Sequence, residues 1–370
     1  MSRPACNVLI LLLFTPLLTA ANPPPSSLAL GTALYFDTNL SLHRNISCAD
    51  CHAPGVAFVD PRSNNTGRAV SSGTVPAQLG RRHTPTLSYI GINPGFGPRA
   101  DRVLRGGFFY DGRATTLAEQ AQGPLFSPLE MGISKSLLKT RLAENENYLS
   151  QIRALLGPEP WTQDALVALV SDSLAVFQRS AMFQPFDSKF DRYLRGESKL
   201  TPLEEQGRVL FFSTLVNCNS CHMLERGREE TFSDYTFHNI GVPTNPLLSH
   251  LQQPDLGLGE HPNVTDAAQR GKFKVPTLRN VAVTAPYMHN GVFKELRTVM
   301  AFYNKFILVD PINPETGQPW RPPEVPQNIS QDLLRQGQPL NPERMDAIIA
   351  FLRTLTDARY EHLLDPSGKN

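Results

Sequence analysis

Two stretches carry residues whose types and spacing could do chemistry: Cys48-Ala-Asp-Cys51-His52 and Cys218-Asn-Ser-Cys221-His222. Two thiols three positions apart can each add to one vinyl group of a single haem, and the histidine that follows directly can reach the iron as axial ligand. Each stretch is read as the attachment site of one covalent haem c, two per chain. Half of a zinc ribbon would need a partner half and gives no reason for a histidine after both pairs. A redox Cys-x-x-Cys does not ask for that histidine either.

The elements around the two motifs repeat. Leu28 to Phe36 precedes the first and Leu203 to Phe212 the second, both reading as short helices. The second opens on Thr201-Pro202-Leu203-Glu204, with proline at the first helical position and glutamate closing a capping box. Downstream, His83-Thr84-Pro85-Thr86-Leu87 leads to Asp111-Gly112, and Lys274-Val275-Pro276-Thr277-Leu278 leads to Asn290-Gly291. A helix is predicted after each turn, over 116–122 and from 294 to about 303. Helical apolar spacing continues through Leu137, Leu138, Leu142, Leu149, Ile152 and Leu155, through Leu166, Val170, Leu174 and Phe177, and through Ile348, Ile349, Phe351 and Leu352. This predicts a mainly α protein of two cytochrome c-like haem domains related by an internal repeat, over 22–190 and 191–370. The charged stretch 186–199, with Gly196, is the expected linker, and the proline-rich 311–326 an expected surface loop.

The N-terminus reads as a secretory signal peptide over residues 1–21: Arg3, an apolar run from Val8 to Leu18, then Thr19-Ala20-Ala21. Export to the periplasm follows. Cleavage would remove Cys6, leaving four of the 5 cysteines, all in the two motifs. No later apolar run is long enough to span a bilayer. Basic and acidic residues number 35 and 34; losing Arg3 makes them 34 and 34, which argues against a nucleic-acid partner.

The chain resembles the bacterial di-haem cytochrome c peroxidase family, which includes the MauG-type maturases. The resemblance runs from about Leu30 to Leu355 and rests on both haem motifs, on Tyr110-Asp111-Gly112-Arg113-Ala114, on Glu119 to Pro124, on Pro128-Leu129-Glu130-Met131, on Val275 to Asn280 and on Thr284 to His289. It implies a peroxidatic N-terminal haem and an electron-accepting C-terminal haem, with His52 and His222 as proximal ligands. It also implies Gln120, Pro124 and Glu130 as the distal pocket of the first. A carboxylate above that haem can move a proton from one peroxide oxygen to the other as base and then acid. Glu130 is the candidate, with Gln120 orienting peroxide and Pro124 limiting space.

Several positions differ from the family pattern. The loop 71–80 holds no histidine to ligate the first haem. His83 stands where the family usually has the asparagine of an interdomain calcium site, although Thr284 and Pro286 match its carbonyl contacts. Tyr110 replaces a tryptophan between the haems and can still relay electrons; Val216 replaces a second tryptophan of the MauG type.

For the second iron's other ligand, Met288, Met300 and Tyr303 compete. Asp111 to Pro124 is thirteen positions, as is Asn290 to Tyr303, so Tyr303 falls where Pro124 sits. Peroxidases of the family usually have methionine there and MauG-type proteins tyrosine. Tyr303 is therefore the expected ligand, and a phenolate would lower that haem's potential, where a thioether would raise it.

Three functions are in play. The leading one is reduction of hydrogen peroxide with electrons from a small c-type cytochrome or cupredoxin. The second is MauG-like oxidation of a partner protein, and the third is a plain di-haem electron carrier. The resemblance also allows a homodimer.

Overall fold

The computed structural model describes residues 26–224, 227, 229–308, 311–368 and 370. The expected signal peptide and Cys6 lie outside them. Helices dominate. In order they are α1 Ser27–Tyr35, α2 Cys48–Cys51, α3 Leu117–Phe126, α4 Lys135–Ala143, α5 Glu146–Leu156 and α6 Gln163–Gln178, then α7 Lys189–Leu194, α8 Pro202–Phe211, α9 Leu296–Leu308, α10 Gln331–Leu334 and α11 Pro342–Arg353. Short two-stranded antiparallel pairs join Gly97–Pro98 to Leu104–Arg105, Phe237–His238 to Phe273–Lys274, and Ile312–Asn313 to Gln318–Pro319.

Two helix crossings organise the two largest apolar clusters. α1 meets α6 so closely that a Cβ on Gly31 would lie 1.9 Å from the Ser173 carbonyl oxygen and 3.1 Å from Phe177 Cβ. α8 meets α11 in the same way: a Cβ on Gly207 would lie 1.8 Å from the Ala347 carbonyl oxygen and 2.9 Å from Phe351 Cβ. One turn on, Tyr35 meets Phe177 with ring centroids 5.2 Å apart, and Phe211 meets Phe351 at 5.3 Å. Any side chain at either glycine would force backbone apart, at a cost of about 1–3 kcal/mol or more. One cluster is built on Leu30, Leu34, Leu142, Ile152, Leu166, Val170 and Leu174, the other on Phe211, Phe302, Ile348, Ile349, Phe351 and Leu352.

Helix ends follow local chemistry. Thr201 and Glu204 form the expected capping box of α8, and Thr116 and Glu119 form one for α3. α3 runs past the expected end at Gln122 because Pro124 removes only one backbone bond, to the Gln120 carbonyl, while the Ser127 N–H still donates to Gly123 O at 2.9 Å. α9 begins at Leu296, later than expected: the N–H groups of Lys294 and Glu295 both donate to Glu315 Oε1, at 2.7 and 2.8 Å.

The expected linker 186–199 is instead partly helical. It holds α7, capped by Ser188 and Asp191, with Phe190 buried in the second cluster. The proline-rich 311–326 is likewise more than a loop, since it contains the last strand pair and buries Val325.

The two halves meet along a seam. Gly106 N–H donates to Tyr235 O at 2.9 Å, and Lys274 N–H donates to Tyr110 O at 2.8 Å. Arg82 binds Asp111 of its own half at 2.6 Å and Asp255 of the other at 2.6 and 2.7 Å, while Arg81 reaches Glu260 at 3.2 Å. Among the described residues no helix is long and apolar enough to cross a membrane.

Candidate functional site

The first motif forms the single turn α2, with the Ser47 N–H and hydroxyl both bonded to Asp50 Oδ2 at 2.7 Å, and His52 follows at its end. The ring nitrogen Nδ1 of His52 donates to the Phe58 carbonyl at 3.1 Å, and the Tyr35 hydroxyl donates to the His52 carbonyl at 2.6 Å. The second motif forms a 3₁₀ turn, Cys218–Ser220, and His222 Nδ1 donates to the Phe232 carbonyl at 2.8 Å. Phe58 and Phe232 are both fully buried and both at φ +57°, a left-handed conformation that turns each carbonyl back toward its histidine. With Nδ1 engaged, each imidazole keeps Nε2 for a metal, the arrangement in which a bound carbonyl fixes tautomer and ring orientation.

Electrostatics argue against thiol redox chemistry at these cysteines. Burial pushes Cys48, Cys51, Cys218 and Cys221 up to about 12, far from the lowered values of reactive dithiols. Burial also pushes His52 down to about 4, against the Phe58 bond, so it is neutral and able to donate to a metal. The donor set at each motif, two thiols and one oriented neutral imidazole, fits one haem c.

The expected distal residues of the first haem lie on α3 and in the loop that follows it. Gln120 and Pro124 lie one turn apart on α3, four positions that share a face. The segment that follows is a tight loop: Met131 N–H donates to Pro124 O at 3.0 Å, and Glu130 N–H to Ser127 O at 3.0 Å. The Glu130 carboxyl is raised by the packing around it although the residue itself is exposed; Arg113 and the Ser127 hydroxyl oppose the rise. On Cys51, burial and the opposing Arg62 are the main influences, and Asp60, Glu130 and Asp50 add negative charge. Glu130 thus lies within electrostatic reach of the first motif. The Phe109 ring packs where a Cβ on Gly123 would be, 2.8 Å from its Cζ, and Arg113 stacks 3.6 Å over that ring.

Of the three candidates near the second motif, Met300 is buried in the apolar cluster and Met288 sits in a left-handed turn at φ +72°. Tyr303, half-buried on α9, has its hydroxyl raised by burial and then by Cys221 and Cys218, so it faces the cysteine pair. Tyr110 is at the seam, its phenol raised by burial with Arg82 opposing.

The calcium expectation fits poorly. The imidazole of His83 is buried and neutral, pushed down to about 4 by burial, its Nδ1 has no hydrogen-bond partner, and its backbone N–H donates to His289 O at 2.7 Å. Calcium takes oxygen ligands, and this ring offers nitrogen where the amide oxygen would be. Thr284 and Pro286 remain as carbonyl donors on the segment of the cis Ala285–Pro286 bond. Among the described residues no group of three or more His, Cys, Asp or Glu side chains could hold a metal ion.

Sequence reading missed the supports. Gly73 and Thr74, in the loop without histidine, back the Glu130 segment: a Cβ on Gly73 would lie 2.2 Å from Leu129 O, and Thr74 N–H donates to Glu130 O at 2.7 Å. Arg82 and Lys274 at the seam gave no signal of their own, although Arg82 adjoins one repeated proline-threonine segment and Lys274 opens the other.

Comparison with known proteins matches this geometry. The family model described as "Di-haem cytochrome c peroxidase" covers residues 25–199, and the chain belongs to that family. The methylamine utilization protein MauG of Paracoccus denitrificans is 43% identical over 99% of this chain and 98% of its own length. The cytochrome c peroxidase Ccp of Escherichia coli is 33% identical over 71% of this chain and 50% of its own. Among solved structures, the diheme peroxidase BthA of Burkholderia thailandensis superposes with a TM-score of 0.81 at 31% identity, covering 94% of this chain and 90% of that one. The chain is thus a di-haem oxidoreductase that acts on peroxide and carries two c-type haems.

Proposed function

We propose that this chain is a periplasmic peroxidase that reduces hydrogen peroxide to water with electrons taken singly from a small c-type cytochrome or cupredoxin. It consists of two cytochrome c-like units, over 22–190 and 191–370, related by duplication, after removal of a leader over 1–21. The matched crossings at Gly31 and Gly207 and the matched histidine–carbonyl bonds support the duplication.

In this reading Cys48, Cys51 and His52 hold the first haem, and Cys218, Cys221, His222 and Tyr303 hold the second. The haems, when bound, supply peroxide binding and electron storage. The residues of the chain handle protons and position. Glu130 accepts a proton from one peroxide oxygen and returns it to the other, so that the departing fragment leaves as water. Two electrons and two further protons complete the conversion of one peroxide into two waters. Gln120 orients peroxide through its amide, Pro124 restricts the distal space, and Tyr110 relays electrons at the seam.

The observation that carries the reading is a carboxyl raised by the packing around it, Glu130, within electrostatic reach of Cys51 and held by backbone on both sides. A plain electron carrier has no use for it. The test is steady-state peroxide consumption with a reduced small c-type cytochrome, against peroxide alone. Donor-dependent turnover is expected, and its absence would overturn the reading.

A second reading, MauG-like oxidation of a partner protein, is favoured by Tyr303 facing Cys221 and Cys218 and by the full-length match to MauG. It predicts peroxide-dependent covalent oxidation of a partner without turnover of a cytochrome donor. Val216, at a position where the MauG type has tryptophan, counts against it.

A further inference from the structure

The segment after α11 runs between the two halves, and one carboxylate in it touches both. Asp357 is fully buried. One of its oxygens accepts from the Tyr89 hydroxyl and the other from Asn280 Nδ2 at 2.8 Å; its own N–H donates back to Asn280 Oδ1 at 2.8 Å. Tyr89 and Asn280 are counterparts, each four positions after the proline of a proline-threonine segment, Pro85 and Pro276, and each at φ +61°. The Asn280 amide also donates to Ser88 Oγ at 3.2 Å, and its N–H to Leu355 O at 3.0 Å.

From each counterpart a short chain of contacts leads to a proximal loop. On the first side, Thr86 Oγ1 donates to Ala57 O at 2.5 Å, the Tyr360 hydroxyl donates to Pro54 O at 2.7 Å, and the Arg359 guanidinium lies 5.5 Å over the Phe58 ring. On the second, Thr277 Oγ1 donates to Thr231 O at 2.8 Å, and Arg279 Nε donates to Glu230 O at 2.7 Å, with its guanidinium 5.4 Å over the Phe232 ring. Arg279 is itself locked by a buried ion pair with Asp191. Phe58 and Phe232 are the residues whose carbonyls hold His52 and His222.

We propose that Asp357 is a positioning residue common to both haem sites, anchoring through Tyr89 and Asn280 the two loops whose carbonyls orient His52 and His222. The proposal rests on the reading of these histidines as axial ligands. The strength of a histidine's bond to carbonyl sets its donor strength toward iron, so a shift in either loop reaches that iron. Most local changes should reach one haem. Asp357 should reach both.

The experiment uses the holoprotein with both haems, checked by mass, and reads each haem separately: the iron–histidine stretch of the reduced high-spin first haem, the low-spin paramagnetic resonance signal of the second, and both midpoint potentials. Asp357→Asn is expected to shift the signatures of both haems. Tyr360→Phe is expected to shift only the first, and Thr277→Val only the second. Should Asp357→Asn not fold, Tyr89→Phe removes one hydroxyl from the carboxylate with little change in packing and is expected to shift both. A folded Asp357→Asn that moves one haem or neither, or a Tyr89→Phe that moves neither, overturns the anchor. His52→Ala and His222→Ala, each expected to abolish its own haem's histidine signature, test the ligand reading independently.

Discussion

The backbone N–H of Thr74 donates to the carbonyl of Glu130 at 2.7 Å, so the loop that carries no histidine is the loop that holds Glu130. Asn45 locks the same loop through Thr74 O at 2.9 Å and Thr74 Oγ1 at 2.7 Å. The loop is thereby braced from behind, and it offers no histidine that could close an open first pocket.

Glu130→Gln keeps the shape and removes the base. It should lower kcat with peroxide by about 10²–10⁴-fold while leaving both haem spectra in place. Because the packing around it raises this carboxyl, with Arg113 and Ser127 opposing, the wild-type rate should fall as pH drops through a value above the usual carboxylate range, where the base becomes protonated. A pH–rate profile of both proteins checks this, since the acid limb should vanish in the variant.

Without a ligand from that loop, the oxidised protein should react with peroxide directly. Stopped-flow mixing of the fully oxidised form should change the first haem's absorption without any reductant. A spectrum that stays still until the second haem is reduced would contradict the open pocket.

Tyr303→Phe should alter the low-spin resonance signal, and Tyr303→Met should raise the second haem's potential. Met300→Ala should only loosen the apolar cluster, at a cost of about 2–5 kcal/mol in denaturant unfolding. If Met300→Ala abolished the low-spin signal and Tyr303→Phe preserved it, the ligand would be the methionine.

Lys274 is buried at the seam, its Nζ donating to Gly107 O, and burial pushes it down to about 7 from 10.5, with Asp111 opposing. The unfolded chain therefore binds the extra proton between about pH 7 and 10.5, so this residue's penalty is full below pH 7 and fades as pH rises through that window. Lys274→Met should be more stable than the parent below pH 7, by up to roughly 5 kcal/mol, with the advantage shrinking toward pH 10. Denaturant titrations of both proteins across that range measure it.

What could be read from the chain was what lies close together in it. Cys48, Cys51 and His52 announce themselves because the haem demands a fixed local spacing, and Tyr303 could be singled out because the count from Asn290 equals that from Asp111 to Pro124. The capping box at Thr201 was legible for the same reason. Helix α7 was not, because Phe190 is one aromatic in a charged stretch and its burial depends on α11 and Phe232, far away in sequence. Asp357, Arg82 and Thr74 are defined only by partners across the fold, and a lone aspartate, arginine or threonine carries no pattern that names them.

The contact between Tyr360 and Pro54 joins residues 306 positions apart, so the loop behind His52 is completed by the far end of the chain. Phe58 and the loop behind His52 lack Arg359 and Tyr360 until nearly the whole chain has been made. A premature stop just after α11 would spare every residue of both motifs and still leave the earlier site unfinished.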